Sequence, residues 1–420
     1  MPIPHADGPR LQRRLGVFDA VLIGLGAMIG AGIFTAPRPA AGAAGSGLLI
    51  GLAVAAVVAY CNATSSARLA ACYPTSGGTY VYGRERLGEF WGYLAGWGFV
   101  VGKTASCAAM ALTVGSYVWP QRPQVVAVAA VLILTAISFR GVQKSALLNR
   151  VIVTVVLMVL AGVVIAAITS PAADADRLRI GADTSIYGIL QSAGLLFFAF
   201  AGYARIATLG EEVRDPARTI PRAVPLALAI TLLVYTAVTI AVLAVLGASG
   251  LSSAVAPLAD TMQAAGFPAG VPVVRIAAVV AALGALLALL LGVSRTAFAM
   301  ARDRHLPPAL AVIHSRFDVP HRAIIIVGLV VAALAATVDL RGAIGFSSFG
   351  VLAYYAIANI AASTLTPAEG RPARIVPVLG TLGCLILGVA LPAESIVTGV
   401  FALALGAAAY GIRRALGARR

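Results

Sequence analysis

The first long apolar segment of the chain contains the stretch Gly24-Leu-Gly-Ala-Met-Ile-Gly-Ala-Gly-Ile-Phe34, in which four of the eleven residues are glycine. Glycine weakens a helix and permits backbone angles that other residues avoid. A second apolar segment carries a milder version of this feature, at Phe197-Phe-Ala-Phe-Ala-Gly-Tyr-Ala204. One interpretation is close helix packing, because Gly26 and Gly30 are four residues apart. The other is that both helices are interrupted, which predicts a binding site between them.

The composition indicates that most of the surface faces lipid. Of the 420 residues, 60% are hydrophobic and 11% are charged, and the mean hydropathy is +0.94. A soluble domain carries about 25% charged residues. Segments of about 20 apolar residues can span a membrane as helices. About twelve such segments, numbered here as helices 1–12, lie at 17–36, 45–67, 90–118, 123–140, 149–169, 186–209, 222–246, 272–299, 322–338, 342–365, 375–392 and 394–412. The sequence therefore predicts an all-α polytopic membrane protein.

The basic residues predict the orientation of the chain. Its formal net charge is +15, and 22 of the 31 Lys and Arg residues fall in the termini and in the loops on one side of the membrane. Only six fall in the loops on the other side. Basic loops are retained in the cytoplasm, so the N-terminal segment 1–16 and the C-terminus are both expected on the cytoplasmic side. The protein itself is expected in the cell inner membrane. This distribution explains the positive charge without a nucleic-acid partner.

Three motifs resemble those of the amino acid–polyamine–organocation permeases. Residues 26–34 are similar to the helix 1 signature of that family. Residues 197–203, followed by 211–222, are similar to its helix 6 and the next loop. The third motif, residues 294–322, is similar to helix 8 and its cytoplasmic loop. The resemblance spans residues 15 to about 325 and is nearest to bacterial permeases related to cationic amino acid transporters.

The resemblance implies a fold of two inverted repeats of five helices each. The first repeat would comprise residues 17–169 and the second residues 186–365, with helices 1 and 6 unwound near their middles. Helices 11 and 12, with the C-terminus, would lie outside the repeats at 375–420. Relatives often have fourteen helices, whereas this chain has room for twelve.

The resemblance also implies how an amino acid would bind. Its carboxylate would meet free backbone N–H groups around Gly30, Ala31 and Gly32, at the positive end of a half-helix. Its ammonium would meet free carbonyls around Phe200, Ala201 and Gly202. The side chains of Ile29 and Tyr203 would shape the pocket. Tyr203 can equally be a core or interfacial aromatic residue.

Lys103 departs from the family pattern. Relatives commonly carry a lysine in helix 5 that takes the place of a sodium ion, but helix 5 of this chain has none. Lys103 instead lies midway along the apolar helix 3, where a buried cation is costly and is functional by default. Its ammonium is expected to bridge backbone carbonyls of helix 1 to helix 8, near Ser294, and to couple transport to protons. The alternative is that it snorkels to the membrane interface.

Helix 6 departs from the pattern as well. Relatives often have an acidic residue just after the helix 6 glycine, whereas here Ala204 and Arg205 stand there. A base without an acid beside the pathway favours neutral over cationic substrates. Arg205 is a candidate gate, or a structural clamp that binds a carbonyl or a carboxylate of Glu211 or Glu212. These two acids can help to lock an inner gate or belong to a solvated charge network.

The sequence lacks the residue patterns that are typical of enzymes and metal-binding proteins. No phosphate-binding loop, catalytic carboxylate pair or metal-ligating pattern appears, so we expect no enzyme activity, cofactor or metal. The sequence favours a secondary active transporter of amino acids that works by alternating access with proton coupling or exchange. Two alternatives stay open: a transporter of the same fold for another small solute, such as an amine or organic anion, and a non-transporting sensor or membrane enzyme. The expected partners are a small-molecule substrate and membrane lipid.

Overall fold

The computed structural model describes residues 15–74, 77–141, 146–181, 184–207 and 213–417, and this part of the chain is helical. Within it, nine helices are long and apolar enough to cross a membrane by length and composition. Three shorter apolar helices, Pro123–Phe139, His321–Thr337 and Ile375–Ala390, complete the twelve that the sequence predicts. The architecture is therefore the all-α polytopic membrane fold that was expected.

The helix bounds follow the apolar segments closely. Helix 1 consists of Val17–Met28 and Gly32–Thr35, and helix 6 of Ile186–Phe200, a 3-10 turn at Ala201–Tyr203, and Ala204–Ala207. The remaining membrane helices, in order, are Leu48–Cys72 (2), Glu89–Val118 (3), Pro123–Phe139 (4), Ala146–Thr169 (5), Pro216–Ser253 (7), Val271–Arg302 (8), His321–Thr337 (9), Leu340–Ser363 (10), Ile375–Ala390 (11) and Ala393–Gly417 (12). Three short helices are Pro37–Ala44, which directly follows Gly32–Thr35, Thr79–Leu87 and Pro257–Ala264.

Helices 3 and 10 lie at the centre of the bundle. In each of them 78% of an 18-residue apolar stretch is buried inside the protein, compared with 17% of the corresponding stretch in helix 12. Their backbones touch at two glycines, because a Cβ added to Gly350 would lie 2.9 Å from the Cα of Gly102. Small residues at such crossings let helices approach closely in a membrane, where dispersion forces replace the hydrophobic effect. Helix 12, in contrast, packs at the periphery and exposes large apolar side chains such as Phe401 to lipid.

The contact between Gly102 and Gly350 gives a test of this packing. Gly350→Val should lower the thermal stability of the detergent-solubilised protein, because overpacking of a backbone contact costs about 1–3 kcal/mol. Gly162→Val is the matched control, since a Cβ at Gly162 meets no atom within 4 Å. Equal melting temperatures for the two variants would contradict the central role of this contact.

Candidate functional site

The break in helix 1 falls inside the glycine-rich stretch. The helix ends at Met28, Ile29 has a non-helical ψ of 43°, and helical geometry resumes at Gly32. A resumed helix begins with N–H groups that have no partner within it. All of Ile29, Gly30 and Ala31 are buried. The interruption therefore includes Gly30 and Ala31, two of the three residues around which the resemblance implies that a carboxylate binds.

Glycine is needed at this break because two other helices press against it. A Cβ at Gly30 would lie 2.7 Å from the Cβ of Ala285 in helix 8. A Cβ at Gly32 would lie 2.7 Å from the Cα of Ala199 in helix 6. Real Cβ atoms essentially never approach other atoms this closely, so larger residues would force the helices apart. The close-packing interpretation of the glycines and the interrupted-helix interpretation therefore both hold.

The break in helix 6 is tighter than the unwinding that the resemblance implies. The α-helix ends at Phe200, and Ala201–Tyr203 forms a single 3-10 turn before a short helical turn at Ala204–Ala207. Gly202 lies against helix 1, because its added Cβ would be 2.7 Å from the backbone nitrogen of Met28 and still closer to the carbonyl of Ala27. The two interruptions therefore touch each other, backbone against backbone.

Lys103 is buried inside the bundle at this contact. Its side chain is 6% exposed, and Nζ donates a hydrogen bond to the carbonyl of Ala201 at 3.3 Å. The ammonium therefore meets the broken segment of helix 6, whereas the sequence led us to expect carbonyls of helices 1 and 8. Ser294, the expected neighbour, donates to Leu290 of its own helix at 2.7 Å. It also lines a cavity of about 50 Å³ with loop residues such as Asp318.

Tyr235 of helix 7 belongs to the site, although the sequence analysis did not single it out. Its hydroxyl donates to the carbonyl of Met28 at 2.5 Å and lies 3.0 Å from the carbonyl of Ala199. These carbonyls stand on either side of the contact between helices 1 and 6. The only signal in the sequence was a tyrosine in an apolar helix, and a buried phenol generally finds a hydrogen-bond partner.

Tyr203 packs in an aromatic cluster next to the helix 6 turn. Its ring is fully buried, and its centroid lies 5.1 Å from that of Tyr355 in helix 10. Neither hydroxyl of this pair makes a hydrogen bond outside the pair within the described residues. The packing fits the core-aromatic interpretation, and the role of Tyr203 in shaping the pocket stays a prediction.

The predicted gate of Arg205, Glu211 and Glu212 is only partly visible. Arg205 is half-buried in the short turn that follows Tyr203. Glu211 and Glu212 lie outside the described residues. Their pairing with Arg205 therefore stays a prediction.

A polar network that the sequence analysis missed joins the helix Thr79–Leu87 to the end of helix 8. The Tyr80 hydroxyl donates to Asp303 Oδ2 at 2.6 Å and lies 2.8 Å from Nδ1 of His305. Arg84 also contacts Asp303 Oδ2, at 3.2 Å. Burial, assisted by the hydrogen bond to Asp303, raises the pKa of Tyr80 above its ordinary value. Burial also lowers the pKa of His305, and Arg413 adds to the effect. Neutral His305 is therefore favoured, and this network is most stable above about pH 6.5 and weakens as the pH falls.

An ion pair ties the helix Thr79–Leu87 to the loop after helix 10. Arg86 contacts Glu369, and this hydrogen bond, followed by those from the backbone and hydroxyl of Thr366, lowers the pKa of Glu369 to about 2. The pair is therefore charged throughout the physiological pH range. The Cys72 thiol also donates to the Glu369 carbonyl, at 3.2 Å. Together, the two networks hold the loops at this end of the bundle in contact.

Comparison with known proteins supports the resemblance found in the sequence. The model of the amino acid permease family matches residues 15–408. An uncharacterized transporter of Mycobacterium tuberculosis (strain ATCC 25618 / H37Rv) is 68% identical over 414 residues, which cover 98% of this chain and 94% of that protein.

Two named transporters are more distant relatives. The branched-chain amino acid permease BcaP of Bacillus subtilis (strain 168) is 27% identical over 437 residues, covering 95% of this chain and 92% of that protein. The human cationic amino acid transporter 4 is 28% identical over 374 residues, covering 82% of this chain and 58% of that protein. The nearness to cationic amino acid transporters that the motifs indicated is therefore confirmed at the level of the family.

The contact of the two breaks predicts the effect of bulky residues there. Gly30→Leu and Gly202→Leu should abolish substrate binding, because a side chain would displace helix 8 or the backbone of helix 1 from the site. Membrane insertion should persist, since the other apolar helices are unchanged. Binding of labelled amino acids to purified protein measures the effect. Gly292→Leu in helix 8 is the control, because a Cβ there meets no atom within 4 Å. Normal binding by Gly202→Leu would show that the two breaks are not part of the binding site.

Proposed function

This chain belongs to the amino acid permease family, and from that premise we propose that it moves neutral amino acids across the cytoplasmic membrane by alternating access. The family and the names of its relatives identify a multi-pass membrane transporter of amino acid type, not an enzyme. One observation carries the proposal: the interruptions of helices 1 and 6 touch at the centre of the bundle, where Gly202 abuts the backbone of Met28. Both termini on the cytoplasmic side and two inverted repeats, 17–169 and 186–365, are parts of the same proposal.

The backbone at the two breaks suits a zwitterion. N–H groups at Gly30, Ala31 and Gly32 would take the carboxylate, because a half-helix N-terminus carries positive partial charge. Carbonyls at the helix 6 turn would take the ammonium. The hydrogen bond from Lys103 to Ala201 supports this role, because it shows that a carbonyl of the turn can accept from an ammonium group.

A competition between two ammonium groups provides the coupling. The substrate ammonium and the Lys103 ammonium would both use carbonyls of the helix 6 turn. Two unit charges 4 Å apart repel by about 4 kcal/mol at an effective dielectric constant of 20. Substrate would therefore bind more tightly when Lys103 is neutral, and a proton would leave this lysine as the substrate enters. This arrangement favours proton coupling or exchange over sodium coupling, because the lysine would also repel a sodium ion.

The charges around the site favour neutral substrates. Lys103 and Arg205 both lie near the helix 6 turn, and Ala204 stands where relatives often have an acid. A second cationic group on the substrate would be repelled by these two like charges. The similarity to BcaP, a branched-chain amino acid permease, supports the same choice. An acidic amino acid paired with Arg205 is the nearest alternative within the class.

Competition assays test the substrate class. In proteoliposomes, alanine or leucine should inhibit uptake of a labelled neutral amino acid about tenfold more strongly than arginine or lysine, because repulsion from one like charge costs about 1.4 kcal/mol or more. Tightest competition by arginine or lysine would refute the interpretation of Ala204 and Arg205. Inhibition by amines or organic anions, with none by amino acids, would instead favour another solute.

Substitution of Lys103 tests the coupling. Lys103→Ala should fold and insert but lose the pH dependence of uptake, because the group that releases the proton is gone. Lys103→Arg should not restore it, since a guanidinium stays protonated at every accessible pH. Uptake is measured in proteoliposomes from pH 5.5 to 8.5, with and without sodium. Full activity of Lys103→Ala with an unchanged pH profile, or a strict sodium requirement in the wild type, would make this lysine structural only.

A further inference from the structure

A large apolar groove runs between helices 2 and 7 on the outside of the bundle. Its volume is about 730 Å³, within the range of about 300–1,000 Å³ that is usual for ligand pockets. Helix 2 contributes Leu49, Leu52, Ala53, Ala56, Val57 and Tyr60, and helix 7 contributes Pro225, Leu228, Ala229, Leu232, Thr236 and Ile240. Both walls belong to membrane-spanning helices, so the groove opens towards lipid.

The groove is long enough for an acyl chain. Its residues on helix 7 run from Pro225 to Ile240, a distance of about 22 Å at 1.5 Å per residue. The hydrocarbon part of one leaflet is about 15 Å deep, because the whole hydrocarbon core is about 30 Å thick. The groove therefore crosses more than a full leaflet along the membrane normal.

Basic residues continue the same helical face beyond one end of the groove. Arg222 lies three residues before Pro225 and seven before Ala229, so the three share one face of helix 7. Arg218, one turn earlier, extends that face and is 3.6 Å from Asp215. Arg222 is exposed, and no carboxylate pairs with it among the residues that the structure describes. The predicted orientation places this end at the cytoplasmic surface.

We propose that this groove binds an anionic phospholipid, with an acyl chain between helices 2 and 7 and the phosphate at Arg222. Charge complementarity selects this occupant, because a lipid phosphate forms strong charge-assisted hydrogen bonds with arginine. A second copy of the chain docked on the same face would bring the arginines of both copies together. A zwitterionic lipid would set its own ammonium against them.

The bound lipid would lie next to the substrate site. Phe200, the last residue before the helix 6 turn, also lines the groove. Its ring centroid is 5.2 Å from that of Tyr235, whose hydroxyl donates to Met28 at the helix 1 break. An acyl chain in the groove would therefore support the two side chains that connect the groove to both interruptions.

Native mass spectrometry of the intact, detergent-solubilised protein tests the proposal. The probes are phosphatidylglycerol and phosphatidylcholine with identical acyl chains. Wild type should retain phosphatidylglycerol in preference to phosphatidylcholine, and Arg222→Gln should weaken that retention about tenfold, as expected for loss of one charge-assisted contact. Arg222→Lys should keep most of the preference, because the charge remains. Arg374→Gln is the matched control, since Arg374 is also exposed at the end of a membrane helix.

A second variant tests the groove independently of the charge. Ala53→Trp should fill it from helix 2 and reduce retention of both lipids, whereas Ala333→Trp, at an exposed position on helix 9, should not. Melting curves confirm that each variant is folded, and Ala53→Leu replaces the tryptophan variant if that one is not. Equal retention of the two lipids by wild type, or retention unaffected by both Arg222→Gln and Ala53→Trp, would overturn the proposal. The readout does not require transport, so it is independent of the proposed substrate.

Discussion

The backbone hydrogen bonds that are lost where helices 1 and 6 break constrain the rest of this bundle. Inside a membrane no bulk water replaces them, and each unsatisfied group costs several kcal/mol. In this structure the two breaks lie against each other inside the protein, with Gly202 next to the backbone of Met28. Two side chains from other helices then donate to carbonyls at the contact: Lys103 to Ala201, and Tyr235 to Met28. Glycines bring the helices close enough for these bonds to form.

This arrangement also explains why a lysine is tolerated in the middle of helix 3. A buried cation is costly inside a membrane, and a hydrogen-bond partner reduces that cost. Lys103 is buried, and its ammonium group donates a hydrogen bond to the carbonyl of Ala201 instead of reaching the membrane surface. Because the same carbonyls are the proposed ligands of the substrate ammonium, Lys103 and the substrate would compete for one set of atoms. Such a competition would make this stabilising hydrogen bond part of the proposed coupling.

The sequence predicted the local features of this site better than its long-range contacts. Apolar length located the twelve helices, and glycine density located the break at Ile29–Ala31, because both depend on residues close together in the chain. The partner of Lys103 was expected in helices 1 and 8, but Ala201 is 98 residues away in helix 6, and helix rotation decides which carbonyl the ammonium reaches. Tyr235 was missed for the same reason, since Met28 is 207 residues distant. The helix 6 break was predicted in position, but its 3-10 turn is more compact than free unwinding.

The position of Lys103 within helix 3 decides which partner can move. Its neighbour Gly102 packs against the backbone of Gly350, so helix 3 and helix 10 form a close pair at the centre of the bundle. Close-packed interiors shift as units and do not deform continuously. The helix 6 turn, in contrast, is short and lies between two half-helices that end there. Alternating access would therefore change the distance from Lys103 to Ala201 by moving the carbonyl, not the lysine. The same movement that opens the site would then release the ammonium and alter its affinity for a proton, which links the fixed helix pair to the energetics of transport.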